Sequence, residues 1–257
     1  MDLATTTYGD DRSGPPLLVL HGLFGSARNW TSLARRFAEQ RPVVTADLRN
    51  HGASPWDAAM DYAVMARDLA ALIDGSGGGP VDVLGHSMGG KAAMRLALDR
   101  PEAVRRLIVL DIAPVAYTDR HSTIVAAMRA IPLASLSRRQ EADGWLTEAV
   151  PEPPLRQFLL QNLTSGEDGL AWRINLEAIA AHMADLTGWP DPPPGAAWRG
   201  PALFLRGGAS DYVRDAHEEA IHALFPDAEI ETVPGAGHWV HAEKPDAVRE
   251  AVDRFLT

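Results

Sequence analysis

The chain has 257 residues, no cysteine and a formal net charge of −10. The missing cysteines exclude disulfide scaffolds, thiol nucleophiles and thiolate metal sites, and the acidic balance repels phosphate backbones, which argues against nucleic acid as the main partner. Hydrophobic residues at 46% and charged residues at 23% are ordinary globular usage, and no apolar run approaches the roughly 20 residues of a membrane-spanning helix.

This length suits one α/β domain carrying an insertion. Met1–Thr5 lacks the basic and apolar regions of a secretory signal, so the cytoplasm is the expected compartment. Apolar runs bounded by turn residues predict strands at Leu17–His21, Val43–Ala46, Val81–Leu84, Leu107–Leu110, Ala202–Leu205 and Ile230–Val233. Amphipathic helices are predicted between the early strands, at Trp30–Gln40, Tyr62–Ile73 and Met88–Arg100, the last closed by Pro101. Strand alternating with helix implies a mostly parallel central sheet flanked by helices, with ligands gathering at the carboxyl ends of its strands.

From about Pro114 the alternation stops, and helices are expected around Ser122–Arg129, Arg138–Val150, Pro154–Asn162 and Ala171–Met183. The strand rhythm resumes at Pro201, after a proline-rich return linker at Pro190–Gly195. The chain therefore divides into a core of residues 1–113 and 200–257 and a helical cap of residues 114–199. Gly75–Gly79 reads as a flexible loop, since no Lys-Ser or Lys-Thr follows it to make a phosphate cradle.

The strand Val81–Leu84 runs into Gly85-His86-Ser87-Met88-Gly89-Gly90 and then a helix, the context in which Gly-x-Ser-x-Gly raises a nucleophilic serine on a strained turn. A serine hydroxyl needs a base and a third group to orient that base. His238, in the loop Val233–Trp239 after the last predicted strand, sits where the chain order serine, acid, histidine expects the base, with His241 its nearest rival. The oxyanion of an acyl-transfer intermediate needs backbone N–H donors: Met88 follows the nucleophile, and Leu23 follows the strand-end His21-Gly22. His21 reads as a brace for that loop. Asp47, Arg49, Asn50 and His51 likewise read as charged scaffolding of a strand-end turn. No His-x-x-x-His or similar spacing offers a metal site, and no cofactor motif is present.

The segments Leu20–Ser26, Asp47–Gly52, Gly85–Lys91, Asp111–Pro114, Trp172–Leu176 and Gly237–His241 together resemble the α/β-hydrolase-fold esterases and thioesterases of the bacterial YbfF type and their eukaryotic ABHD-type relatives. The resemblance spans nearly the whole chain. It implies the α/β-hydrolase fold with an inserted cap, and hydrolysis of a small carboxylic ester or acyl thioester without a cofactor. It also bears on the triad's acid. Hydrolases of this fold usually carry the acid in the turn that here reads Gly207–Val213, where Ser210 takes the acid's place and Asp211 falls one later. The resembled esterases draw the acid from the end of the preceding strand, which implies Asp111; Asp211 is the alternative.

Arg129, Arg138, Arg139, Arg156 and Arg173 of the cap are candidates for binding an anionic group, against a solvated helix face, and Trp145, Trp172 and Trp189 read as cap core. A perhydrolase or carbon–carbon bond hydrolase on the same serine, and a non-catalytic small-ligand binder, are the competing readings. Acyl length, leaving group and oligomeric state are not encoded in these motifs.

Overall fold

The apolar runs become the central strands of one sheet in a computed structural model of the chain, which describes residues 1–257 apart from Gly78, Glu167, Asp168, Pro193 and Pro194. The expected glycine loop and proline linker therefore lie partly outside the described residues. In chain order the core elements are β1 (Thr5–Tyr8), β2 (Leu17–Leu20), α1 (Thr31–Phe37), β3 (Val43–Ala46), α2 (Tyr62–Gly75), β4 (Val81–His86), α3 (Met88–Asp99) and β5 (Val104–Leu110). The insertion follows, with α4 (Ser122–Ala130), α5 (Arg139–Leu146), α6 (Pro153–Leu160), β6 (Leu163–Gly166), β7 (Gly169–Trp172), α7 (Leu176–Ala181) and α8 (Met183–Thr187). The chain then completes the core with β8 (Ala202–Gly207), α9 (Glu218–Leu224), β9 (Ala228–Val233), α10 (Val240–Glu243) and α11 (Pro245–Leu256).

The seven-stranded sheet has the order β1-β3-β2-β4-β5-β8-β9. It is parallel except for β1, which pairs antiparallel with β3 at the edge. Thr5–Tyr8 is mostly solvent-facing and carries no apolar run, which is why the sequence pattern does not announce it as a strand.

Alternate residues of the central strands feed two cores. Val83, Leu107 and Val109 pack with Met65 and Leu69 of α2 and Met94 and Leu96 of α3. Leu84, Ile108 and Leu110 pack on the opposite face with Leu33 and Phe37 of α1 and Val248 and Val252 of α11. Each such side chain, fully buried, stabilises the fold by about 1.5–3 kcal/mol, and burial on both faces explains why these strands read as continuous apolar runs.

The insertion departs from the expectation of an all-helical cap. Residues expected to open a helix at Ala171 instead form β7, paired antiparallel with β6, and the helix begins only at Leu176 behind the N-cap Asn175, whose side chain accepts from the Ala178 amide at 3.2 Å. The Gly169 φ of 100° suits the connection of the two short strands. Trp145 is 53% exposed and not part of a core, whereas Trp172 and Trp189 pack against it. Among the described residues no helix is long and apolar enough to cross a membrane.

Strand succession reverses between β2 and β4, so the loops leaving these two neighbours flank a crevice at the carboxyl edge of the sheet. One loop contains Leu23 and the other Ser87.

Candidate active site

β4 ends at His86 and α3 starts at Met88, leaving Ser87 alone in the turn with φ 51° and ψ −118°. An L residue adopts such a backbone only when its surroundings enforce it. Here they do: a Cβ on Gly89 would lie 2.5 Å from the His21 carbonyl oxygen, and one on Gly85 would run into the Gly89 backbone. The two glycines let strand, turn and helix approach closely enough to lift the serine into the crevice.

His238, in the loop after β9, places Nε2 3.1 Å from Ser87 Oγ and Nδ1 2.8 Å from Asp111 Oδ2. An ionised carboxylate only accepts, so Nδ1–H donates to Asp111 and Nε2 keeps its lone pair for the serine proton. His86 donates from Nε2 to the His238 carbonyl oxygen at 2.9 Å, and the Tyr212 ring stacks on the imidazole with centroids 3.8 Å apart. The ring is thus held from its backbone and from one face.

Asp111 follows β5, is buried, and has a φ of 49°. Its Oδ1 accepts from the Gly207 amide at 2.9 Å, and its Oδ2 accepts from the Ser210 hydroxyl as well as from His238. Asp211 lies elsewhere: it is exposed and paired with Arg120 at 2.8 Å. His241 is also turned away, stacking on Trp30 with centroids 4.4 Å apart, and burial brings its pKa from the ordinary 6.5 to about 3. Of the rival acids and bases weighed in the sequence, Asp111 and His238 are therefore the pair brought to Ser87.

The Leu23 and Met88 amides border the same crevice, and among the described residues neither donates to a protein acceptor. Met88 also opens α3, a twelve-residue helix, so the positive end of its dipole faces the space beside Ser87. The loop bearing Leu23 is braced by two histidines. His21 donates from Nδ1 to the Gly22 carbonyl oxygen at 2.8 Å and accepts from the Leu48 amide at Nε2 at 3.0 Å. His51 donates to the Arg49 carbonyl oxygen at 3.0 Å and accepts from the Phe24 amide at 3.3 Å. Both roles require neutral rings, and burial brings His21 to about 4 and His51 to about 3. Asp47, Arg49 and Asn50 are bracing too: Asp47 accepts from the Ala27 and Ala53 amides, Arg49 grips Asp68 with two nitrogens, and Asn50 accepts from Asn175 of the insertion at 3.1 Å.

Two cavities meet at Ser87. The larger, about 820 Å³, is walled by apolar groups including Phe24, Ile124, Leu155, Phe158 and Trp239. The smaller, about 190 Å³, has Lys91, Tyr62 and Tyr117 among its walls. The cap arginines singled out in the sequence border neither cavity: Arg129 pairs with Glu177, Arg138 with Glu141 and Arg156 with Asp143, while Arg139 donates to the Leu163 carbonyl oxygen and Arg173 borders a separate cleft beside Asp47. Arg120 and Arg214 reach the crevice instead. Neither these nor Lys91 and Tyr212 stand out in the sequence, because each becomes a site residue only through contacts made far along the chain; Ser210, noted in the sequence at the acid's usual place, instead donates to Asp111.

Residues 17–251 match the alpha/beta hydrolase family. The chain belongs to that family. Among its relatives, the sn-1-specific diacylglycerol lipase ABHD11 of Mus musculus is 43% identical over 264 residues, covering 100% of this chain and 85% of the mouse protein. Esterase YbfF of Escherichia coli strain K12 is 38% identical over 257 residues, covering 100% of this chain and 98% of that protein. Among solved structures, a marine microorganism esterase superposes with a TM-score of 0.94 at 37% identity, covering 99% of each chain.

Proposed function

We propose that the protein is a serine hydrolase that cleaves carboxylic esters or acyl thioesters through an acyl-enzyme on Ser87. The observation that carries this reading is the contact chain Ser87 Oγ to His238 Nε2 at 3.1 Å and His238 Nδ1 to Asp111 Oδ2 at 2.8 Å. In the first step Ser87 Oγ attacks the carbonyl carbon while its proton passes to His238 Nε2, and the Leu23 and Met88 amides receive the oxyanion. Collapse expels the alcohol or thiol, which takes the proton back from His238. Water then attacks the acyl-enzyme with His238 again as base, releasing the acid and restoring Ser87. Asp111 holds the tautomer and stabilises the imidazolium formed in each half.

The apolar cavity of about 820 Å³ is suited to an acyl or alkyl chain. Residues 114–199 serve in this reading as a cap that walls the cavities over a core of residues 1–113 and 200–257. The names of the esterase and lipase relatives agree with ester chemistry. The test is hydrolysis of nitrophenyl acyl esters of increasing chain length by the unaltered protein and by Ser87→Ala. Chain-length-dependent turnover that Ser87→Ala abolishes supports the reading; turnover that survives the substitution refutes it.

A further inference from the structure

The two cavities at Ser87 differ in charge as well as size. The smaller, about 190 Å³ or roughly six water volumes, is bordered by Lys91, Arg120 and Arg214 against the one carboxylate of Asp211, in a chain whose net charge is −10. Arg120 is already engaged with Asp211 in an exposed pair.

Lys91, one turn into α3 from Ser87, is in a different position. Its side chain is buried. Nζ donates to the Thr187 and Gly188 carbonyl oxygens at the end of α8, at 3.1 and 2.5 Å, and lies 5.5 Å from the Tyr62 ring centroid and 4.8 Å from that of Tyr117. None of these partners carries a negative charge, and among the described residues Lys91 forms no ion pair. An ammonium has a third N–H beyond the two carbonyls. A buried cation without a counter-charge is unfavourable, and desolvation brings Lys91 from its ordinary 10.5 to about 7.

We propose that the smaller cavity is a carboxylate subsite: Lys91 receives an anionic group carried by the substrate a few bonds from the scissile carbonyl, while the apolar part lies in the larger cavity. The incoming carboxylate takes the third N–H and supplies the missing counter-charge at a buried ammonium, where an ion pair is stronger than in open water. The two carbonyls of α8 hold Nζ in place beforehand, so little freedom is lost on binding. Arg214 at the rim adds attraction for the same sign of charge. The preferred substrate class is then an ester or thioester with one apolar chain and one short acidic arm. This inference rests on the ester-hydrolase reading.

The test compares the unaltered protein with Lys91→Gln on matched pairs of esters. Nitrophenyl hemiglutarate against its methyl-capped diester places the carboxylate on the acid side; the butyryl ester of glycolate against its methyl ester places it on the alcohol side. In one arm the unaltered protein is expected to favour the anionic member in kcat/KM, and Lys91→Gln to lower that ratio about tenfold or more; the responding arm identifies the side. A ratio that Lys91→Gln leaves unmoved in both arms, with nitrophenyl butyrate still hydrolysed, overturns the subsite and leaves the hydrolase reading standing. If no ester is turned over, the hydrolase reading fails, and calorimetry with glutarate on Ser87→Ala decides the subsite separately. Binding that disappears when Lys91→Gln is added supports it, and no binding at millimolar glutarate overturns it. If Lys91→Gln does not fold, glutarate competition against nitrophenyl butyrate in the unaltered protein takes its place: competitive inhibition supports the subsite, and its absence overturns it.

Discussion

Asp111 and His238 stand 127 residues apart in the chain, and the contact that separates Asp111 from Asp211, implied in the sequence only by family resemblance, is made by folding. Ser87 is legible in the sequence because its glycines, strand and helix are all local, and His238 because it follows a recognisable last strand. The candidate acid is not legible from local pattern alone: Asp111 and Asp211 both lie in loops after strands, and only the pairing of β5 with β8 and of β8 with β9 brings Ser210 and His238 to the former. Replacing Asp111 with Asn removes the acceptor that fixes the His238 tautomer, and kcat on a nitrophenyl ester is expected to fall by about four orders of magnitude. Asp211→Asn is expected to leave kcat within a few-fold, since its exposed pair with Arg120 contributes little. A large loss with Asp211→Asn and none with Asp111→Asn in steady-state assays contradicts the assignment. Ser210→Ala deletes one donor to a buried carboxylate, an interaction of about 1.5–3 kcal/mol, so a loss of stability in urea denaturation is expected even where activity persists.

At the level of elements, α3 joins the sequence motif to the chemistry, since its N-terminus lies beside Ser87 and its first turn carries Lys91. The close approach of β4, the turn and the loop after β2 leaves no room for a Cβ at Gly89. Gly89→Ala is therefore expected to destabilise the fold by about 1–3 kcal/mol and to move Ser87, read as a lower urea midpoint together with lost turnover; an unchanged midpoint contradicts the packing argument. In the insertion, β6 and β7 escape sequence reading because Leu163–Gly166 and Gly169–Trp172 are short and carry little alternation. Asn175 ties that segment to the core: it caps α7 and donates to Asn50 Oδ1. Asn175→Ala is expected to cost about 1 kcal/mol of stability, measured by urea denaturation, and no change contradicts the capping role.

Across the whole molecule, the mostly parallel sheet with helices on both faces was readable from strand–helix alternation, while edge strand β1 and the mixed insertion were not, because neither buries a continuous apolar run. The same burial that builds the cores holds several histidines neutral: His21 at about 4, His51 at about 3 and His241 at about 3, against 6.5 in an open chain. With the folded values depressed, the unfolded chain binds more protons in that window, so stability rises with pH. On acidification the urea midpoint is expected to begin falling near pH 6.5 and to keep falling towards pH 3–4. A midpoint flat from pH 7 to 4 contradicts this account of the histidine bracing.

Reaction of the folded protein with a fluorophosphonate, read by intact mass and peptide mapping, tests the central claim most directly, because it asks whether Ser87 is an activated nucleophile without presuming a substrate. A single adduct per chain, mapped to Ser87 and strongly slowed in His238→Ala, is the predicted result. An unmodified chain, an adduct on another residue, or labelling unaffected by His238→Ala would contradict the account.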